Sequence, residues 1–191
     1  MKSVLYFAAF ACFALTAQAQ EYYVGATIAP SYRGTLYTNS GGQTLSTETS
    51  PATPFKALVG VDITSNFGLE VGYKTFGTTR TDVGDAAGTA LDTDARAFYI
   101  AAKGMLPVSE KWTFTGKLGL AQRHFGITHY KNGQSVSDSS DQGTLYYGVG
   151  VDYKLTKNLA LTAELENYGM ARVQGFSLGM NGFSVGVRYG F

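Results

Sequence analysis

Gly182-Phe183-Ser184-Val185-Gly186-Val187-Arg188-Tyr189-Gly190-Phe191 is the stretch on which the fold is decided. Phe183, Val185, Val187, Tyr189 and Phe191 occupy one set of alternate positions, and Gly182, Ser184, Gly186, Arg188 and Gly190 the other. Successive side chains of a strand point to opposite faces, so the segment describes a sheet with a different solvent on each side. The same split runs through Phe55 to Ile63, where Leu58 breaks it, and through Phe67 to Lys74, Leu145 to Lys154 and Leu159 to Glu166. Tyr22 to Arg33, Ala95 to Leu106 and Trp112 to Ile127 carry it less purely. With the C-terminal stretch this makes about eight strands, each with the nine to eleven residues that a tilted strand needs to cross a bilayer.

A soluble sandwich or a lipocalin-like barrel also alternates, and two features argue for a membrane. The apolar face begins and ends in aromatics: Tyr22, Phe67, Trp112, Tyr153, Tyr189 and Phe191 at one level, and Tyr32, Phe55, Tyr73, Phe98 and Tyr147 at the other. Two girdles match the two interfaces of a bilayer. Connections also alternate in length. Thr64 to Asn66, Pro107 to Lys111 and Leu155 to Asn158 are tight, whereas Gly34 to Pro54, Thr78 to Asp94 and Thr128 to Gly143 are long and Gly169 to Gly179 is intermediate. Backbone groups in lipid have no water to bond, so the sheet must close on itself. The predicted fold is all-β, an eight-stranded antiparallel transmembrane up-and-down β-barrel with both termini on the short-turn side.

Composition agrees. The chain has 191 residues, 24 of them Gly, with 12 Phe and 13 Tyr against 1 Trp. Lys plus Arg number 15 and Asp plus Glu 14, which leaves no basic face for nucleic acid. The one long apolar run is N-terminal: Lys2, then Val4 to Thr16, then Ala17-Gln18-Ala19 read as a secretory signal. Residues 1–19 are therefore expected to be removed and residues 20–191 to form the barrel domain. The single cysteine, Cys12, falls inside the signal, and Ala9-Phe10-Ala11 before it is not a lipidation box.

Phe67-Gly-Leu-Glu-Val-Gly-Tyr73, Ala101-Ala-Lys-Gly-Met-Leu-Pro107, Thr115-Gly-Lys-Leu-Gly119 and Gly148-Val-Gly-Val-Asp-Tyr153 resemble the transmembrane domain of the OmpA family over residues 21 to 191. OmpX-like and Opa-like barrels share these Gly-rich alternating strands. The resemblance implies a bacterial outer-membrane location, a filled barrel and surface loops. OmpA itself continues into a peptidoglycan-binding domain, and this sequence ends at Phe191, so peptidoglycan anchoring is not expected. Val187, Tyr189 and the terminal Phe191 resemble the signal read by the outer-membrane assembly machinery.

If the apolar face meets lipid, Glu70, Lys74, Lys103, Lys117, Arg123, Asp152, Glu164, Glu166 and Arg188 point inward. Eight strands enclose only enough space for side chains, and unpaired charge there is costly, so mixed signs must pair. Glu70, Lys103, Lys117, Asp152 and Arg188 fall at similar depth counted from strand ends, which predicts one ion-pair layer, and with Glu164 they make up the expected interior polar network. The OmpA family closes its lumen with a Glu, Lys, Glu, Arg quartet, whose first three members Glu70, Lys103 and Asp152 resemble. Thr162 stands at the place of the arginine, so Arg188 or Lys117 would have to replace it.

Chemistry is sparse. His124 and His129 are the only histidines, with no serine at useful spacing and no carboxylate evident to orient His124. Asp82, Asp85, Asp92, Asp94, Asp138 and Asp141 lack the spacing of a calcium loop and read as solvated charge. No catalytic residue, metal or cofactor is predicted. The favoured reading is a non-enzymatic barrel that supports envelope integrity and presents loops for interaction or adhesion. Its expected partners are outer-membrane lipids and lipopolysaccharide, the assembly machinery, and an extracellular or host ligand at the loops. The alternatives are a small or gated ion pore and a lipid-A-modifying enzyme.

Overall fold

A computed structural model describes residues 21–29, 36–38, 54–82, 90–131, 134–173 and 176–191. Every element among them is a strand: β1 (Glu21–Ile28), β2 (Leu36–Thr38), β3 (Phe55–Asp62), β4 (Phe67–Asp82), β5 (Ala90–Pro107), β6 (Trp112–Lys131), β7 (Gln134–Lys154), β8 (Leu159–Val173) and β9 (Phe176–Gly190). Each long strand pairs antiparallel with its neighbour in sequence, and β1 pairs with β9 from Tyr23↔Gly190 to Ile28↔Val185. That pairing closes an eight-stranded barrel. The short β2 lies against Leu178 to Phe176 and extends the wall above β1.

The burial pattern is inverted relative to a water-soluble protein. Lys56 is fully buried while Phe67 is 68% and Leu120 65% exposed. On β5 the outward positions Phe98, Ile100, Leu106 and on β7 Leu145, Tyr147, Val149 form an apolar belt edged by Trp112, Tyr189 and Phe191 below and Phe55, Tyr73, Phe98 and Tyr147 above. Tyr32 lies outside the described residues. Leu58, the exception to the alternation, is buried in the lumen, where Gly25 on β1 makes room for it.

Three tight turns join the strands at the lower edge, and they repeat one device. The hydroxyls of Thr64, Ser109 and Thr156 accept the N–H of Phe67 (3.0 Å), Trp112 (3.1 Å) and Leu159 (3.0 Å). Each also accepts the N–H of the residue before, at 3.2 to 3.3 Å. Asn66 and Asn158 add side-chain N–H bonds to the Met105 and Gly190 carbonyls of adjacent strands.

The upper edge differs from expectation. Thr128 to Gly143, expected as a loop, continues β6 and β7 paired from Lys131↔Gln134 downward, and Thr78 to Asp94 is strand up to Asp82 and again from Ala90. Within Gly169 to Gly179, residues 169–173 belong to β8 and 176–179 to β9. Thr128 to Lys131 and Gln134 to Gly143 lack an apolar face because they stand above the lipid, so period-two hydrophobicity could not reveal them, whereas Phe176, Leu178 and Met180 keep the alternation and Met180 is buried. From Leu120 to Lys131, β6 rises roughly 35 Å along its length at about 3.3 Å per residue.

Candidate functional site: the filled lumen

Inward side chains build two charged tiers and an aromatic layer. In the lower tier Lys103 donates to Asp62 (3.1 Å), and Arg188 lies 3.6 Å from Asp62 and 3.2 Å from Asp152 Oδ2. The Asp152 contact has ion-pair distance without hydrogen-bond alignment. In the upper tier Lys117 bridges Glu70 (2.6 Å) and Glu164, while Lys56 bridges Glu164 and Glu166 (2.8 Å) and Lys74 donates to Glu166 (2.9 Å). Two cations face two carboxylates below, and three face three above. Each tier is neutral by itself, which is the condition for burying charge at tolerable cost.

Tyr23 joins the tiers. Its hydroxyl donates to Glu70 at 2.9 Å, and Lys103 and Arg188 lie 4.5 and 4.6 Å from its ring centroid, within cation–π range. Tyr99 donates to Glu70 (2.6 Å), and Tyr146, Tyr168 and Ser184 donate to Glu166 (2.9, 3.0 and 3.2 Å). The tyrosines thus hang the aromatic layer on the upper tier. Tyr99 and Tyr146 stack at 4.4 Å, Tyr146 meets Tyr168 at 4.8 Å, and Phe76 meets Tyr168 edge-on at 5.5 Å.

Phe76 and Tyr168 come from opposite walls, β4 and β8, four strands apart around the ring. Each precedes a glycine in left-handed conformation, Gly77 (φ 85) and Gly169 (φ 75), at a register shift. A bulge bends its strand and re-aims the adjacent side chain. Two bulges facing each other therefore bring two rings together across the lumen. Gly72 gives Tyr99 its place, since a Cβ there would stand 2.5 Å from the ring. At the lower end a cavity of about 40 Å³, lined in part by Tyr23, Asp62, Lys154 and Arg188, opens beneath these layers.

The single layer expected from strand counting is corrected. Glu70, Lys117 and Glu164 belong to the upper tier, and Lys103, Asp152 and Arg188 to the lower. Strands in a barrel are tilted and staggered, so equal counts from strand ends do not give equal depth. Lys103 and Lys117 are direct cross-strand partners, yet they diverge to carboxylates in different tiers. Glu70 consequently bonds Lys117 and not Lys103, and Asp152 takes Arg188; Thr162 is buried opposite Asp152. Strand counting placed neither Lys56 nor Asp62 in the layer, although both lie at polar positions of β3 and the alternation itself was the signal.

His124 also needs correction. Its Nδ1 lies 2.9 Å from Asp141 Oδ1, a carboxylate hidden in the sequence because Asp141 fell in an expected loop. The pair faces outward above the belt, with Arg96 opposite His124 on β5. The side chains of Asp82 and His129 and residue Asp85 lie outside the described residues, and among those described no group of three or more His, Cys, Asp or Glu is placed to hold a metal. Val187, Tyr189 and Phe191 face outward, the last two in edge contact at 5.3 Å, and Phe191 N–H donates to the Tyr22 carbonyl at 2.9 Å.

The sequence matches the family described as outer membrane protein beta-barrel domain over residues 5–191. The chain belongs to that family. It is a bacterial outer-membrane barrel, and the small-barrel class that the sequence resembles is the class that the fold displays. Solved structures with the same fold include Ail of Yersinia pestis, in complex with the heparin analogue sucrose octasulfate (16% identity, 91% of this chain and 100% of that one, TM-score 0.57). The N-terminal β-barrel domain of Pseudomonas aeruginosa OprF is similar at 16% identity, over 90% of this chain and 97% of that one, TM-score 0.53. OprG of Pseudomonas aeruginosa is similar at 14% identity, over 91% and 97%, TM-score 0.59. No curated protein sequence matches significantly.

Proposed function

We propose that this family member is a non-enzymatic, filled barrel that strengthens the outer membrane and carries recognition on its extracellular extension. The observation that carries the reading is the stack of two neutral ion-pair tiers beneath an aromatic layer, which spends the polar interior on packing. The extension of β5, β6 and β7 above the belt supplies a rigid polar platform for contacts with lipopolysaccharide or a host surface. In this reading residues 1–19 are a removed signal, residues 20–191 form the mature domain, and Val187, Tyr189 and Phe191 serve the assembly machinery.

Deleting the protein from its host tests the reading. Cells lacking it are expected to become sensitive to detergent while taking up small hydrophilic solutes at an unchanged rate. Slower solute uptake with unchanged detergent resistance would overturn it in favour of a pore.

A further inference from the structure

With both tiers neutral, one buried cation among the described residues remains without a carboxylate. Arg123 sits on β6 above the ion-pair tiers, points into the lumen and is 4% exposed. Its Nε and Nη1 have no hydrogen-bond partner, and Nη2 makes only a long 3.5 Å contact to Gln142 Oε1. Among the described residues no carboxylate pairs with it. A buried guanidinium without a counter-ion is among the most unfavourable groups a protein can hold, and an anion from outside resolves it.

The bulge at Gly169 on β8 brings the Thr144 hydroxyl and Arg123 Nη1 to a common point: a Cβ on that glycine would lie 2.6 Å from Thr144 Oγ1 and 3.3 Å from Nη1. Nε–H and the two N–H bonds of Nη1 are three donors without an acceptor, and the Thr144 O–H lies close to the same glycine, a set suited to the oxygens of an oxyanion once side chains shift to admit it. The aromatic layer below bars entry from the periplasm, and the buried Phe125 and Ile127 follow Arg123 along the inner face of β6, so an anion entering from the extracellular side passes these two side chains.

We propose that Arg123 and Thr144 form a binding site for one small oxyanion, a phosphate, sulfate or carboxylate, in the upper lumen. The test is equilibrium dialysis of the refolded barrel against radiolabelled inorganic phosphate and, separately, acetate, at constant ionic strength in chloride. The expected result is saturable binding of one anion per barrel, competed by sulfate, weakened at least tenfold in Arg123→Gln and severalfold in Thr144→Val, and unchanged in Lys157→Gln at a lower turn. Phosphate retention alone marks a tetrahedral ligand, and acetate retention alone a carboxylate; either supports the site. No saturable binding of either anion, or binding that survives Arg123→Gln, overturns it. Should Arg123→Gln fail to fold, undiminished binding in Thr144→Val overturns it instead.

Discussion

Replacing Glu166 by Gln keeps the shape of the side chain and removes one charge from the upper tier. Glu166 accepts from Lys56, Lys74, Tyr146, Tyr168 and Ser184. In the variant Lys56 retains Glu164, while Lys74 loses the carboxylate it bonds. An uncompensated buried charge costs about 3–5 kcal/mol, and hydroxyls left without an acceptor add to that. The expected loss is therefore about 4 kcal/mol. Changing Lys74 to Met as well leaves Lys56 and Lys117 facing Glu70 and Glu164, a neutral tier again, so the double variant should recover about 2 kcal/mol relative to the sum of the single changes. Urea titration of the barrel in lipid vesicles, followed by the fluorescence of its one tryptophan, Trp112, measures this. A loss under about 1 kcal/mol for Glu166→Gln, or additivity within about 0.5 kcal/mol, would refute the pairing argument.

Two further substitutions probe the two faces. Val149→Arg places a charge in the middle of the lipid belt on β7 and is expected to destabilise by about 2–4 kcal/mol in the same titration; a negligible effect would mean that this face does not meet lipid. Gly72→Val drives a side chain into the Tyr99 ring, costing about 1–3 kcal/mol, and should reduce the near-UV circular dichroism of the stacked tyrosines. An unchanged spectrum would show that the aromatic layer is not held as described.

The period-two pattern made the strands within the lipid legible, because there each face has one solvent and one residue type. Pairing inside the lumen was not legible. Lys103 and Lys117 stand directly opposite each other, and only the stagger of the closed barrel sends one to Asp62 and the other to Glu70 and Glu164. The bulges were hidden for a related reason: Gly77 and Gly169 are two glycines among 24, and a positive φ leaves no separate mark in a glycine-rich chain. Beyond Ile127 on β6 and before Thr144 on β7 both faces are largely polar, so strands continuing into water read as loops. The repeated turn was readable, since Thr64, Ser109 and Thr156 occupy the same place in each tight connection.

The central claim is that the lumen is closed by paired charge and by the rings that Phe76 and Tyr168 bring from opposite walls. Single-channel recording of the refolded barrel in a planar bilayer, beside a Phe76→Ala, Tyr168→Ala double variant, tests it most directly. The account predicts a silent wild type and, because both ion-pair tiers remain below the rings, a double variant that is silent as well. Steady conductance from the wild type, unaltered in the double variant, would contradict it.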